Sequence, residues 1–150
     1  MNEEQEPAVE ERLQEQLLRL RADFDNYRRR TSHHFSRLAN QAKVEFIKRL
    51  LPVADDLDRG LGALAPEDSP ARKGFEMISQ KFFSVLRAEG VERIGAPGEH
   101  FDPEIHEAVS TQEDEHGQEG KVREVLQSGY RMGEVILRPA KVLVAVGREG

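Results

Sequence analysis

The chain has 150 residues, 37% hydrophobic and 33% charged, with a net charge of -6, which leaves material for one modest domain plus an extended element rather than a large enzyme core. It contains no cysteine, which excludes a disulfide framework, a thiolate metal site and a cysteine nucleophile. The acidic opening Met1–Glu11 resembles neither a signal peptide nor an Arg-rich transit peptide, and no later run is apolar enough to span a membrane, so a cytoplasmic protein is expected.

The first predicted element is a long helix. Neither proline nor glycine occurs between Pro7 and Pro52, and Leu13, Phe24, Phe35, Phe46 and Leu57 recur at eleven-residue spacing. That period is about 3.67 residues per turn, close to the natural helical period, so these side chains hold one stripe of a nearly straight helix. From Ala8 to Leu51 such a helix would reach roughly 65 Å at 1.5 Å per residue, and it cannot bury its stripe alone. A parallel pairing with a second copy is expected. Leu13, Leu17, Leu20, Phe24 and Tyr27 follow the 4-3 spacing of a coiled coil, and Phe35, Leu38 and Phe46 complete the predicted dimer interface. Thr31 and Ala42 take stripe positions with little apolar volume, so the seam should loosen after Tyr27.

The same helix is the basic part of an acidic protein. Residues 12–50 carry ten Lys or Arg against four acids, whereas residues 1–11 carry five acids and no base. Arg28, Arg29, Arg30, Arg37, Lys43, Lys48 and Arg49 could attract nucleic acid or an acidic protein surface, though a solvated helix face explains such a run as well. No zinc finger, basic-zipper order or aromatic platform for bases accompanies them.

Pro52, with Asp55, Asp56 and Asp58 after it, predicts a break at Leu51–Pro52 and a second helix from Pro52 to about Leu64 that opens on acids. Its apolar face is Val53, Leu57, Leu61 and Leu64. Pro66 to Pro70 is a predicted turn in which Ser69 caps and Pro70 opens a third helix, ended by Gly90. Phe75, Ile78, Phe82, Val85 and Leu86 are spaced for burial on one side of it. Two short helices make a thin core, and doubling them in a dimer yields a four-helix bundle.

After Gly90 the helical period disappears. Val91–Ile94, Ala108–Thr111, Lys121–Gln127, Glu134–Leu137 and Lys141–Val146 read as strands separated by Gly95–Gly98, the polar loop Asp114–Gly120, Gly129 and Gly133. Asp102 and Pro103 predict a capped helical turn between the first two strands. The fold class is α+β, with residues 1–51 a long dimerisation helix, 52–90 a helical hairpin contributing to the dimeric bundle, and 91–150 a small β-domain.

No constellation argues for catalysis. His100, Asp102, Glu104 and His106 match no zinc spacing, and the adjacent His33 and His34 point to different sides of a helix. The aspartates after Pro52 suit a first helical turn better than a magnesium site. Gly60-Leu61-Gly62 is too short for a phosphate loop, and no Gly-x-Ser-x-Gly motif occurs. Neither a catalytic residue, a metal nor a cofactor is expected.

Four blocks resemble a known family. Asp25-Asn-Tyr-Arg-Arg-Arg-Thr31 and Phe46-Ile-Lys-Arg-Leu-Leu-Pro-Val-Ala-Asp-Asp-Leu-Asp-Arg59 are similar to the helical signature of GrpE, the nucleotide exchange factor of DnaK-type heat-shock chaperones. Phe101-Asp-Pro-Glu-Ile-His-Glu-Ala-Val109 and Gly129-Tyr-Arg-Met-Gly-Glu-Val-Ile-Leu-Arg-Pro-Ala-Lys-Val142 are similar to its β-domain signature. The resemblance implies a parallel homodimer with paired long helices, a central four-helix bundle and two β-domains. It also implies that the factor binds the chaperone's ATPase domain and that its β-domain wedges a lobe outward so that ADP leaves. Residue by residue it implies chaperone contacts at Arg28 and Arg37 on the long helix, Arg59 and Gly74 in the bundle, and Leu126 in the β-domain. The resemblance meets two departures: the family often has an arginine where this chain has Val135, and little of the usual amino-terminal extension is expected. No nucleic acid and no membrane partner is expected. The alternative reading is a coiled-coil adaptor or nucleic-acid-binding dimer that uses the basic helix stripe.

Overall fold

A computed structural model describes residues 5–64 and 69–148. Two helices, α1 (Glu6–Ala63) and α2 (Pro70–Ala88), precede six strands: β1 (Val91–Ile94), β2 (His106–Glu113), β3 (Val122–Gln127), β4 (Gly129–Met132), β5 (Val135–Arg138) and β6 (Ala140–Val146). The α+β class is as expected. The chain divides into two compact units, Met1–Lys43 and Val44–Gly150.

Among its described residues the first unit is helix from Glu6 onward. Its stripe is exposed in the single chain, with Leu13, Leu17, Leu20, Phe24, Tyr27, Phe35 and Leu38 each between 46% and 66% accessible.

In the second unit, α1 departs from the expectation of a break before Pro52. The helix runs without interruption through Pro52 to Ala63, so the separate helix from Pro52 to Leu64 does not exist. The proline removes one N–H and crowds the carbonyl four residues back, a cost of about 3 kcal/mol. Ile47, Leu51 and Ala54 are buried around it. Two buried aliphatic side chains at about 1.5–3 kcal/mol each are enough to hold the helix together.

Helix α2 begins and ends as its sequence predicts. Ser69 is extended at φ -77° and ψ 140°, and its Oγ accepts from Arg72 N at 3.2 Å. Gly90, at φ +87°, follows the last turn, and its N–H donates to Arg87 O at 2.9 Å. Of the predicted turn from Pro66 to Pro70, residues 66–68 lie outside the described residues. Arg72 then reaches back across the hairpin, its Nη1 donating to Leu61 O at 3.2 Å and Leu64 O at 3.4 Å while its Nε pairs with Glu76 at 3.0 Å. The guanidinium thus serves carbonyls at the C-terminal end of α1, where a helix runs out of its own donors.

The expected buried face of α2 is shifted. Leu86 and Ser79 are buried and Phe82 and Phe83 half-buried, but Ile78 is 63% and Val85 53% exposed. The inward face follows Ser79, Phe83 and Leu86, leaving Met77, Ile78 and Val85 as a second apolar strip in solvent.

The strands form two three-stranded sheets, β1-β4-β5 and β2-β6-β3. The first is antiparallel throughout, and it contains a strand absent from the sequence-based expectation, Gly129–Met132. Gly129 is not a separator: it occupies a strand end where backbone meets backbone, and an added β-carbon would lie 2.5 Å from Ala140 N. In the second sheet β6 is central, parallel to β2 and antiparallel to β3. Ile47, Leu51 and Ala54 of α1, Leu86 of α2, and Val91, Tyr130 and Leu137 of the first sheet make one core; Val122, Ala140, Val142 and Val144 make the other. Asp102 caps its turn as predicted, Oδ1 accepting from Glu104 N at 3.0 Å and its carbonyl from His106 N at 2.8 Å.

Candidate functional site

The C-terminal part of α1 presents Asp55, Asp58 and Arg59 within little more than one turn, so the two carboxylates share a face. The strand connection Gln127–Ser128 lies against that face. Arg138 of β5 pairs with both carboxylate oxygens of Asp55, at 2.7 Å from Nη1 to Oδ2 and through a second, shorter contact from Nη2. Its Nε and Nη2 also donate to Ser128 O at 3.0 and 2.8 Å. Arg93 of β1 forms the matching fork on Asp58, with both distances 3.1 Å, and donates to Ser128 Oγ at 3.1 Å. Gln127 Nε2 adds a bond to Asp55 Oδ2 at 3.2 Å.

Between these pairs sits Tyr130, 1% exposed, with the guanidinium carbons of Arg93 and Arg138 at 5.7 and 5.4 Å from its ring centroid. Burial pushes its phenol above the ordinary tyrosine value, and the two arginines only partly oppose this. A neutral phenol at physiological pH cannot serve as a base.

Beside the fork lies a hollow of about 430 Å³ lined by Asp55, Asp58, Arg59, Arg93, Val125, Leu126, Gln127 and Ser128. It brings together two residues that the sequence singles out from separate elements, Arg59 of α1 and Leu126 of β3. Leu126 is 51% exposed. Arg59 meets Asp56 at 3.1 Å, an exposed pair on one helix that is worth little and leaves the guanidinium available. A second hollow, of about 750 Å³, lies between α2 and β1, with Ser79, Phe83, Arg87, Glu92 and Tyr130 among its walls.

The remaining candidates fall elsewhere. Gly74 is exposed on α2, and an added β-carbon there would meet nothing within 4 Å. Arg28 lies over Phe24 at 5.9 Å, and Arg37 approaches His34 at 3.4 Å, both on the first unit's helix. Phe46 is 63% exposed. Val135 is 45% exposed on β5, so the fold itself has no need of an arginine there. His106 is a core residue: its Nδ1 accepts from Asp102 N at 2.9 Å, which leaves Nε2 to donate to Glu99 at 3.2 Å. Among the described residues no three His, Asp or Glu side chains are grouped to share a metal ion.

The profile of the GrpE family matches residues 2–146. The chain belongs to the GrpE family. Protein GrpE of Thermus thermophilus is 43% identical over 137 residues, covering 91% of this chain and 75% of the relative. Protein GrpE of Glaesserella parasuis is 38% identical over 137 residues (91% and 69%), and that of Meiothermus ruber 36% over 131 residues (87% and 73%). As a GrpE protein the chain is a nucleotide exchange factor and co-chaperone for a DnaK-type chaperone. These matches do not favour the alternative of an adaptor or nucleic-acid-binding dimer.

Arg93, Arg138 and Ser128 are site residues that sequence reasoning does not find. Asp55 and Arg138 both stand inside the blocks that resemble GrpE, but a pairing across 83 residues leaves no local pattern. Nor do Asp55 and Asp58 occupy a first helical turn: with α1 continuous, they are instead the acceptors of the two arginines.

Proposed function

We propose that this GrpE-family chain acts as a cytoplasmic homodimer whose long helices pair in parallel and whose helical hairpins form a four-helix bundle. Exposure supports this reading: the stripe from Leu13 to Phe46 and the strip Met77, Ile78 and Val85 are more apolar surface than a single chain leaves in water without a partner. The segments 1–51, 52–90 and 91–150 then serve as dimerisation helix, bundle hairpin and β-domain, although one helix crosses the first boundary.

The chaperone's ATPase domain is bound by Arg28 and Arg37 on the long helix, Arg59 and the face of Gly74 in the bundle, and Leu126 in the β-domain. The observation that carries this reading is the shared hollow of Arg59 and Leu126. An apolar side chain flanked by an available guanidinium suits a protein surface that combines an apolar knob with a carboxylate.

Exchange needs no catalytic group, and the chain is not an enzyme. The factor binds the open, nucleotide-free ATPase domain more tightly than the closed one, and that difference weakens ADP. A thousandfold weakening requires about 4 kcal/mol of differential binding. By reciprocity, nucleotide expels the factor.

The deciding experiment is release of labelled ADP from a DnaK-type ATPase domain. Acceleration by the wild-type chain, reduced by Arg59→Ala and by Leu126→Ala at limiting factor, is expected. Retardation of DNA with a steep salt dependence and no effect on ADP would favour the nucleic-acid reading instead.

A further inference from the structure

We propose that Arg138 is a positioning residue for chaperone engagement, acting through Ser128 and Asp55 to hold Leu126 in register with Arg59. This inference rests on the interface reading above and adds to it a residue outside the hollow.

The geometry is that of a clamp. All three guanidinium nitrogens of Arg138 are engaged, on two elements at once: the carboxylate of Asp55 on α1 and the carbonyl of Ser128 just beyond β3. Ser128 is two residues from Leu126, and Asp55 is four residues, one helical turn, from Arg59. Each end of the clamp therefore sits close behind one of the two interface residues. The intervening Gln127 is bonded to the same carboxylate at 3.2 Å.

Arg93 repeats the arrangement from the other side, with Asp58 as its anchor and Ser128 Oγ as its second acceptor. The two clamps differ in exposure. The Arg138 and Asp55 side chains are 20% and 16% accessible, against 43% and 36% for Arg93 and Asp58. Water screens the Arg93 pair more, so Arg138 carries more of the alignment. A bidentate fork also fixes direction as well as distance, which a lysine's single ammonium does not.

A partner that must touch Arg59 and Leu126 together benefits only if the two are presented at a fixed separation. Freeing the Ser128 end would leave both side chains intact but require them to be ordered on binding, which lowers affinity. Arg138 need not touch the partner at all.

The test is a double-mutant cycle on the full-length chain, read as affinity for a nucleotide-free DnaK-type ATPase domain and as ADP release rate. Arg138→Gln is expected to lower affinity about tenfold, and Leu126→Ala, costly in the wild type, should cost less than about twofold in the Arg138→Gln background. A purely structural role would make the two effects additive, and additive costs or wild-type affinity of Arg138→Gln overturn the proposal. Should circular dichroism show Arg138→Gln to be unfolded, Arg138→Lys, which keeps the charge and loses the fork, takes its place, and it must show the same coupling to Leu126→Ala; additivity there overturns the proposal equally. Wild-type affinity of both Arg59→Ala and Leu126→Ala is a different result: it removes the interface reading itself, and the positioning role with it.

Discussion

The ring of Phe75 on α2 lies against the backbone of Gly60 on α1, where an added β-carbon would come within 2.5 Å of Phe75 Cζ. Gly62, two residues on, would place its β-carbon in open space. Gly62→Ala should therefore raise stability by about 0.5–1 kcal/mol through helix propensity alone. Gly60→Ala should fail to show that gain, because Phe75 must move aside. Chemical denaturation of the two variants checks this, and equal gains would mean that the Phe75 contact has no energetic weight.

Arg72 holds the hairpin from the other direction. Arg72→Ala takes the guanidinium donor away from the carbonyls of Leu61 and Leu64 and should cost about 1–2 kcal/mol. Glu76→Ala removes only the ion pair and should cost less than half as much. Denaturant midpoints at constant slope distinguish the two.

Gly74→Asp should impair chaperone binding without unfolding the chain, since the space around Gly74 is open and the burden falls on whatever docks there. Arg28→Ala should weaken binding severalfold while leaving the sedimentation coefficient of the proposed dimer unchanged. Wild-type affinity in a folded Gly74→Asp protein would take this face of α2 out of the interface.

Two groups set opposite pH limits. Asp114 accepts from His116 N at 3.0 Å and Gln118 N at 3.1 Å, and its carboxyl is held below the ordinary value, first by the His116 bond and further by Gln118 and Arg123, against the opposing effect of burial. A depressed folded value means stability that is present above the ordinary carboxylate range and lost as pH falls through the folded value, so the loop from Asp114 to Gly120 should loosen below about pH 4. Tyr130 is shifted upward, so its contribution is complete below about pH 10 and lost as pH rises through the higher folded value. Amide exchange of His116 and Gln118 reports the first, and Tyr130→Phe should remove the alkaline limb of the second. Because Tyr130 Oη has no hydrogen-bond partner among the described residues, that variant should cost little at neutral pH.

Heating should act on the long helices first. Thr31 and Ala42 interrupt the stripe, and in the proposed parallel dimer the basic side chains of the two copies would repel, so the paired helices should melt reversibly before the rest. Such melting would remove Arg28 and Arg37 as ordered contacts and slow exchange. Circular dichroism should show an early reversible loss of helix that Thr31→Leu with Ala42→Leu abolishes. A single transition in a protein still dimeric throughout would show that the chain is no thermal switch.

Local chemistry is legible in the sequence and long-range pairing is not. Ser69 and Gly90 bound α2 as expected and Asp102 caps its turn, because each depends on neighbours within four positions. Val91–Ile94 is a strand to the residue because Gly90 and Gly95 bracket it, although its partner strand is Gly129–Met132. Pro52 misleads because its cost is local while the burial of Ile47 and Leu51 that offsets it is tertiary. The strand Gly129–Met132 is hidden by its glycine and its Arg131. Of the candidate site, Arg59 and Leu126 are reached through family resemblance, but the arginines behind them answer to acids 35 and 83 positions away.

The central place of β6 has a consequence for synthesis. Neither β2 nor β3 has its partner until residues 140–146 exist, and β2 must be held open across the whole Asp114–Pro139 segment before its parallel pairing can close. Closing so long a loop is entropically costly and slow, whereas the part of α1 before Pro52 needs only its own local hydrogen bonds to begin forming. On the ribosome the chain would therefore expose the stripe of α1 before Pro52 while its second sheet still lacks a centre, and in the proposed dimer two nascent copies would meet by that stripe before either presents a complete β-domain.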